Sequence, residues 1–271
     1  MQYDHFELSV RDGTATLSLT GPGGAPAADL CDELVDLLLR LQEDAAVRVI
    51  LLTDRDAPLD PAFDLRAVAE ERARGRGETM DTVAADLDTV RRVVTIVQES
   101  AKPVVAAVRG DVRDAGFGLL AAVDIRLAAP TATFTPPDMR TGLLPDWGLT
   151  HFLPRLIGTG HTLELLWSGR TVTAEEAHRL GLVDRLLAAD TWDAELDAFC
   201  RRLAAVPQPA LRLSKLVVQQ ANQFDTTSAL SLEYEAQQQC WESRETAAGL
   251  AARVEGRDVD LSAPLDTRDD A

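Results

Sequence analysis

The chain has 271 residues, 46% of them hydrophobic, enough to bury the core of one α/β domain with a helical extension. Its formal charge of −17 repels polyanions, which argues against nucleic acid or an anionic membrane as a partner. Cys31, Cys200 and Cys240 stand far apart and outside any Cys-x-x-Cys or Cys/His pattern, so neither a structural metal nor a disulfide framework is expected.

Among the 27 basic residues the only lysines are Lys102 and Lys215. The opening Met-Gln-Tyr-Asp-His lacks a basic leader, and no apolar run approaches the roughly 18 residues of a membrane span. A cytosolic location is the expectation.

In chain order, residues 14–20 alternate polar and apolar, a strand that places Ala15, Leu17 and Leu19 on one face. A Gly-Pro-Gly-Gly turn follows. From Asp29, a candidate N-cap, to Asp44 the residues Leu30, Leu34, Leu37, Leu38 and Leu41 recur at helical spacing. Val47 to Thr53 is a nearly continuous β-branched and leucine run, as in a strand buried on both faces. Residues 54–80 change character, with Pro58, Pro61 and a charged stretch that reads as a solvated loop and helix start.

Residues 86–100 are helical, and Pro103 then separates them from a central strand ending at Val108. Gly110 to Gly118 runs directly into a helix at Leu119. A strand, a turn and a helix N-terminus together present backbone N–H groups to an anion or a polarised carbonyl, although no P-loop lysine or Gly-x-Gly-x-x-Gly is present. Asp124 to Ala129 is a further short strand. Thr173-Ala-Glu-Glu176 is a capping box, with its helix ending at Gly181 and a strand from Val183 to Leu187 behind it. Helices are expected at about 192–205, 209–223 and 227–255, followed by an acidic tail.

Phe134 to Gly158 holds two acids, Asp138 and Asp146, each directly after a proline in a segment otherwise rich in apolar residues, Gly and Pro. Proline fixes φ, so the next side chain is aimed reproducibly. One reading is that Leu143, Leu144 and Trp147 desolvate these acids and raise their pKa for proton transfer. The other is that each aspartate caps a turn or helix start.

Residues 102–110, Asp124 to Ala129, Leu153-Pro-Arg-Leu-Ile-Gly158 and Ser168 to Val183 together resemble the enoyl-CoA hydratase/isomerase, or crotonase, superfamily, in order over roughly residues 5–257. The resemblance implies an α/β fold, a crotonase-like spiral of ββα units over 1–190 with an all-helical trimerisation subdomain over 191–271. It implies a homotrimer or dimer of trimers, and an acyl thioester of coenzyme A as substrate with no further cofactor. It also implies an oxyanion hole of two backbone N–H groups. Carried over, these are Phe63, where the family's Gly-Ala-Asp reads Ala62-Phe63-Asp64, and Ala115, in a loop the family fills with glycines.

Hydratases of the family hold one water between two glutamates, whose positions fall on Gly118 and Asp138. Asp146 matches the acid of several isomerases and of the 4-chlorobenzoyl-CoA dehalogenase branch. The resemblance therefore favours double-bond isomerisation with Asp146 as proton shuttle and Asp138 as helper, in a pocket shaped by Phe117, Gly118 and Trp147. The alternatives are a lyase or thioester hydrolase using both acids, or a non-catalytic partner protein. Arg253 and Gly256 stand where the family often carries a Phe and a Lys against the adenine, which admits a carrier-protein thioester instead of coenzyme A.

Overall fold

The computed structural model describes residues 3–19, 27–54, 80–257, 259 and 261. Phe63, the first oxyanion candidate, lies outside the described residues, as does the charged stretch before residue 80.

The chain opens with an antiparallel hairpin, β1 (Phe6–Arg11) and β2 (Thr14–Leu19), then α1 (Ala27–Glu43) and β3 (Val49–Thr53). The sequence reading passed over β1, yet its turn carries a recognisable signal. Asp12 and Gly13 both take positive φ, 49° and 74°, as a two-residue hairpin turn requires, and Asp-Gly suits it. Asp29 lies within α1 and so is not its N-cap.

Next come α2 (Met80–Glu99), β4 (Val104–Val108), β5 (Asp111–Arg113), α3 (Asp114–Ala122), β6 (Ile125–Ala128) and β7 (Thr133–Thr135). A 3-10 turn at Met139–Thr141 leads to α4 (Leu149–Ile157) and α5 (Thr159–Ser168). After them come β8 (Val172–Thr173), α6 (Ala174–Leu180) and β9 (Arg185–Leu186). Half of the capping box forms: the Thr173 hydroxyl accepts the Glu176 N–H, while the Glu176 carboxylate turns to the Arg170 guanidinium.

The main sheet has the order β1-β2-β3-β4-β6-β9, parallel from β2 onward, and a small sheet has the order β5-β7-β8. Successive units send one strand to the large sheet and the next to the small one, then a helix: β4-β5-α3 and β6-β7-α4. This is the ββα repeat that the resemblance implies.

Side chains along β3 and β4 alternate between two hydrophobic layers. Ile50, Leu52, Val104, Ala106 and Val108 face a core shared with α1, α2 and α3. Val49, Leu51, Val105 and Ala107 face α7 (Trp192–Ala204). Burial on both faces explains the unbroken apolar runs that marked these strands.

Beyond α7 lie α8 (Gln208–Gln220), α9 (Thr226–Trp241) and α10 (Arg244–Val254). The single helix expected over 227–255 is two, because Ser243 starts a new one, its side chain accepting the Thr246 N–H at 3.0 Å. Leu196 and Phe199 cover the chain's own sheet. Exposed apolar residues of the C-terminal third lie further on and include Val218, Phe224, Leu230, Tyr234 and Trp241.

Three polar clamps tie these parts together. Arg48, buried before β3, donates to the Ala204 and Val206 carbonyls at 2.6 and 3.0 Å and grips both Glu245 carboxylate oxygens at 2.7 and 3.0 Å. Lys102 Nζ donates to the carbonyls of Leu41 and Asp44, closing the end of α1. Lys215 Nζ donates to the Val97 carbonyl and to Asp124 Oδ2, at 2.9 and 2.8 Å, pinning α8 beneath α2. None of the helices among the described residues is long and apolar enough to cross a membrane, and Cys200 and Cys240 are free thiols.

Candidate active site

The helix expected to begin at Leu119 starts five residues earlier, at Asp114. Ala115 is therefore its second residue, and its N–H belongs to the first turn, whose donors have no acceptor inside the helix. Arg113 at the cap position makes no side-chain bond to them. The preceding turn is braced from β3. Asp54, buried at the strand's end, accepts the N–H groups of Arg109 and Gly110 at 2.8 and 2.6 Å.

Asp146 opens a tight turn. Its carbonyl accepts the Leu149 N–H at 2.9 Å, and both residues between, Trp147 and Gly148, have positive φ, 53° and 70°. A bulky residue is rarely found there, and Trp147 is held by its burial at 3% exposure. Gly148 is needed twice over, for its φ and because a Cβ would meet the Phe152 ring.

This turn lies directly on α3. A Cβ added to Gly118 would fall well inside contact distance of Trp147 Cβ, 3.2 Å from its Cγ and 3.4 Å from the Asp146 carbonyl oxygen. Asp114 stands one turn before Gly118 on α3, so the two share a helix face. Burial raises the Asp146 carboxyl above the usual aspartate range, and the charge of Asp114 raises it further. The Asp114 carboxyl, at the rim, is also raised, by crowding against the protein and by the charge of Asp138, against the pull of Arg113.

Sequence reading missed Asp114. The signal available was an acid in the loop that the resembling family fills with glycines, and its φ of 44° in the structure is one that glycine would take without strain.

The two aspartates thus part ways. Asp138 caps the 3-10 turn, accepting the Arg140 N–H at 3.0 Å, while the Arg140 guanidinium spans both its oxygens. Those bonds hold it below the ordinary carboxylate range. Asp146 caps nothing with its side chain, since α4 has Gly148 at its cap.

Two expectations about the pocket are corrected. Leu143 and Leu144 are 56% and 75% exposed, so they do not exclude water from Asp146. Phe117 is wholly buried in the core and presents no surface to a ligand. Two clefts, of about 590 and 450 Å³, lie away from Asp146. One runs along β1, β2 and α7, the other between α4 and α8.

The chain is 29% identical over 264 residues to a crotonyl-CoA hydratase from Syntrophomonas wolfei, covering 95% of this chain and 97% of the relative. It is 30% identical over 220 residues to 4-chlorobenzoyl coenzyme A dehalogenase-2 from Arthrobacter, covering 80% and 79%. The crystal structure of an enoyl-CoA hydratase/isomerase from Cupriavidus metallidurans superposes with a TM-score of 0.84 at 27% identity, covering 98% of this chain and all of the other. The family model for enoyl-CoA hydratase/isomerase matches residues 13–263, and with the crotonase fold described above it shows that the chain belongs to the enoyl-CoA hydratase/isomerase family.

Proposed function

We propose that the protein is a double-bond isomerase of unsaturated acyl thioesters, carried by coenzyme A or by a carrier protein. The observation that carries this reading is the pairing of one partly buried, uncapped carboxylate, Asp146, with a glycine at 118. Proton transfer between carbons needs one base that can take a proton and return it, and burial tunes Asp146 for that. Addition of water needs a second group to orient the water. Of the two positions that serve in the family's hydratases, neither Gly118 nor the Arg140-bound Asp138 supplies it.

The N–H of Ala115, at the head of α3, and that of Phe63 would hold the thioester oxygen as the enolate forms, each donor stabilising it by roughly 3–4 kcal/mol. Asp138 acts as a fixed charge and not as a shuttle. The dehalogenase likeness favours no ring substrate on its own, because Trp147 beside Asp146 is buried.

The test is a pair of assays on the wild type. A 3-enoyl thioester should be converted to its 2-enoyl isomer, while hydration of crotonyl-CoA should stay far below about 10 per second. Hydration at or above that rate, or no isomerisation of any chain length, overturns the reading.

The assembly belongs to the same proposal. Helix α9 buries none of its residues in the single chain and leaves Leu230, Tyr234 and Trp241 in solvent, a surface that suits a homotrimer or dimer of trimers. Light scattering at micromolar concentration should report three or six chains. A stable monomer would refute it.

A further inference from the structure

We infer that Gly118 and Trp147 form a steric lock that positions Asp146 on the first turns of α3 and bars any larger side chain from position 118. The inference deepens the proposed proton-transfer reading and rests on it for its functional meaning. Its basis is the contact itself. The space a Cβ would take at Gly118 is filled by Trp147 Cβ and Cγ and edged by the Asp146 carbonyl. These are atoms at the root of a side chain and of the main chain, so a rotamer change cannot clear them.

The turn bearing Trp147 cannot readily give way either. It is closed by the Asp146–Leu149 hydrogen bond, it leads into α4 through a glycine confined by Phe152, and its tryptophan is 3% exposed. Trp147 accepts a left-handed φ that glycine would take without strain. That conformation places the indole in the core and sets the Asp146 carbonyl against Gly118, on the helix face that also carries Asp114. Trp147 is thus a positioning residue, acting through Asp146. Position 118 determines specificity by its emptiness: no carboxylate fits there while the tryptophan is seated. Position 118 thus adds no acid to the Asp146 and Asp114 already beside α3's first turns, and the pair of glutamates that holds a water in the family's hydratases cannot form through it.

The test is a substitution cycle with two readouts, isomerase kinetics and the titration of the Asp146 carboxyl followed by carbon NMR. Gly118→Ala adds only a methyl group. It should lower kcat by roughly 10²-fold, the effect of a displacement near 1 Å, with KM changed much less. It should also move the Asp146 titration toward that of an exposed aspartate. On a Trp147→Gly background, where the opposing Cβ is gone, Gly118→Ala should lose most of this penalty. On a Trp147→Ala background, which keeps the Cβ, the penalty should persist.

If Gly118→Ala alone does not fold, comparison of the two double variants with their parents still decides the matter. Equal penalties on all backgrounds, or a Gly118→Ala protein with wild-type kcat and titration, overturn the lock. If the titration behaves as described while the wild type isomerises nothing, the lock stands and the proposed reaction fails.

Discussion

Asp146→Asn is expected to lower isomerisation by about 10²–10⁴-fold, the loss typical of removing a general acid–base group, while ligand affinity stays near wild type. The amide keeps the size of the side chain and its place in the turn, so only proton transfer is lost. A base must be ionised to act. Because burial and Asp114 raise the Asp146 pKa, kcat/KM of the wild type should climb with pH through a value above the ordinary aspartate range. Asp138→Asn should cost less, since Arg140 already occupies that carboxylate. Full activity in Asp146→Asn together with loss in Asp138→Asn would reverse the roles. No change in either would place the chemistry elsewhere.

The second large effect concerns stability. Glu245→Ala leaves the Arg48 guanidinium buried against two carbonyls with no counter-charge, a change that costs about 3–5 kcal/mol when a buried pair is broken from one side. At roughly 2–4 °C per kcal/mol for a domain approaching this size, Tm should fall by about 6–20 °C. Replacing both partners by apolar residues should cost much less, because no charge is then left buried.

Burial disfavours the ionised Glu245, but Arg48 and the Gln208 N–H outweigh it and hold its pKa below the usual glutamate range. A depressed carboxylate stabilises above its unfolded pKa, and that contribution disappears as pH falls through the folded value. The wild type should therefore lose this contribution to acid in that window, and Glu245→Ala, which lacks it, should lose less stability there. A Tm unchanged by Glu245→Ala would show that the clamp bears no load.

Legibility of the chain followed burial. Strands β3 and β4 were readable because both faces are buried, and α6 because its capping box and terminal glycine are local chemistry. Strand β1 escaped because at the sheet edge Glu7, Ser9 and Arg11 dilute its apolar residues, although Asp12-Gly13 marked the turn. The sequence hides the true start of α3 because two glycines and an aspartate head it, and the core around it overrides their poor helix propensity.

Of the site, Asp146 could be singled out from its neighbours in sequence. The contact between Gly118 and Trp147 could not, since it joins residues 29 apart and depends on the packing of α3 against α4. Leu143 and Leu144 misled for the same reason: apolar character does not say which way a turn will face.

The two lysine clamps have a chemical consequence. Lys102 and Lys215 are the whole lysine complement of the 271 residues, and the folded chain spends both amines on internal carbonyls and Asp124. Held in this way, with side chains largely covered, neither is presented to an acetyl donor, a ubiquitin-conjugating enzyme or an amine-directed crosslinker. Lysine labelling of this protein would therefore report the opening of α1 or α8 and not its surface.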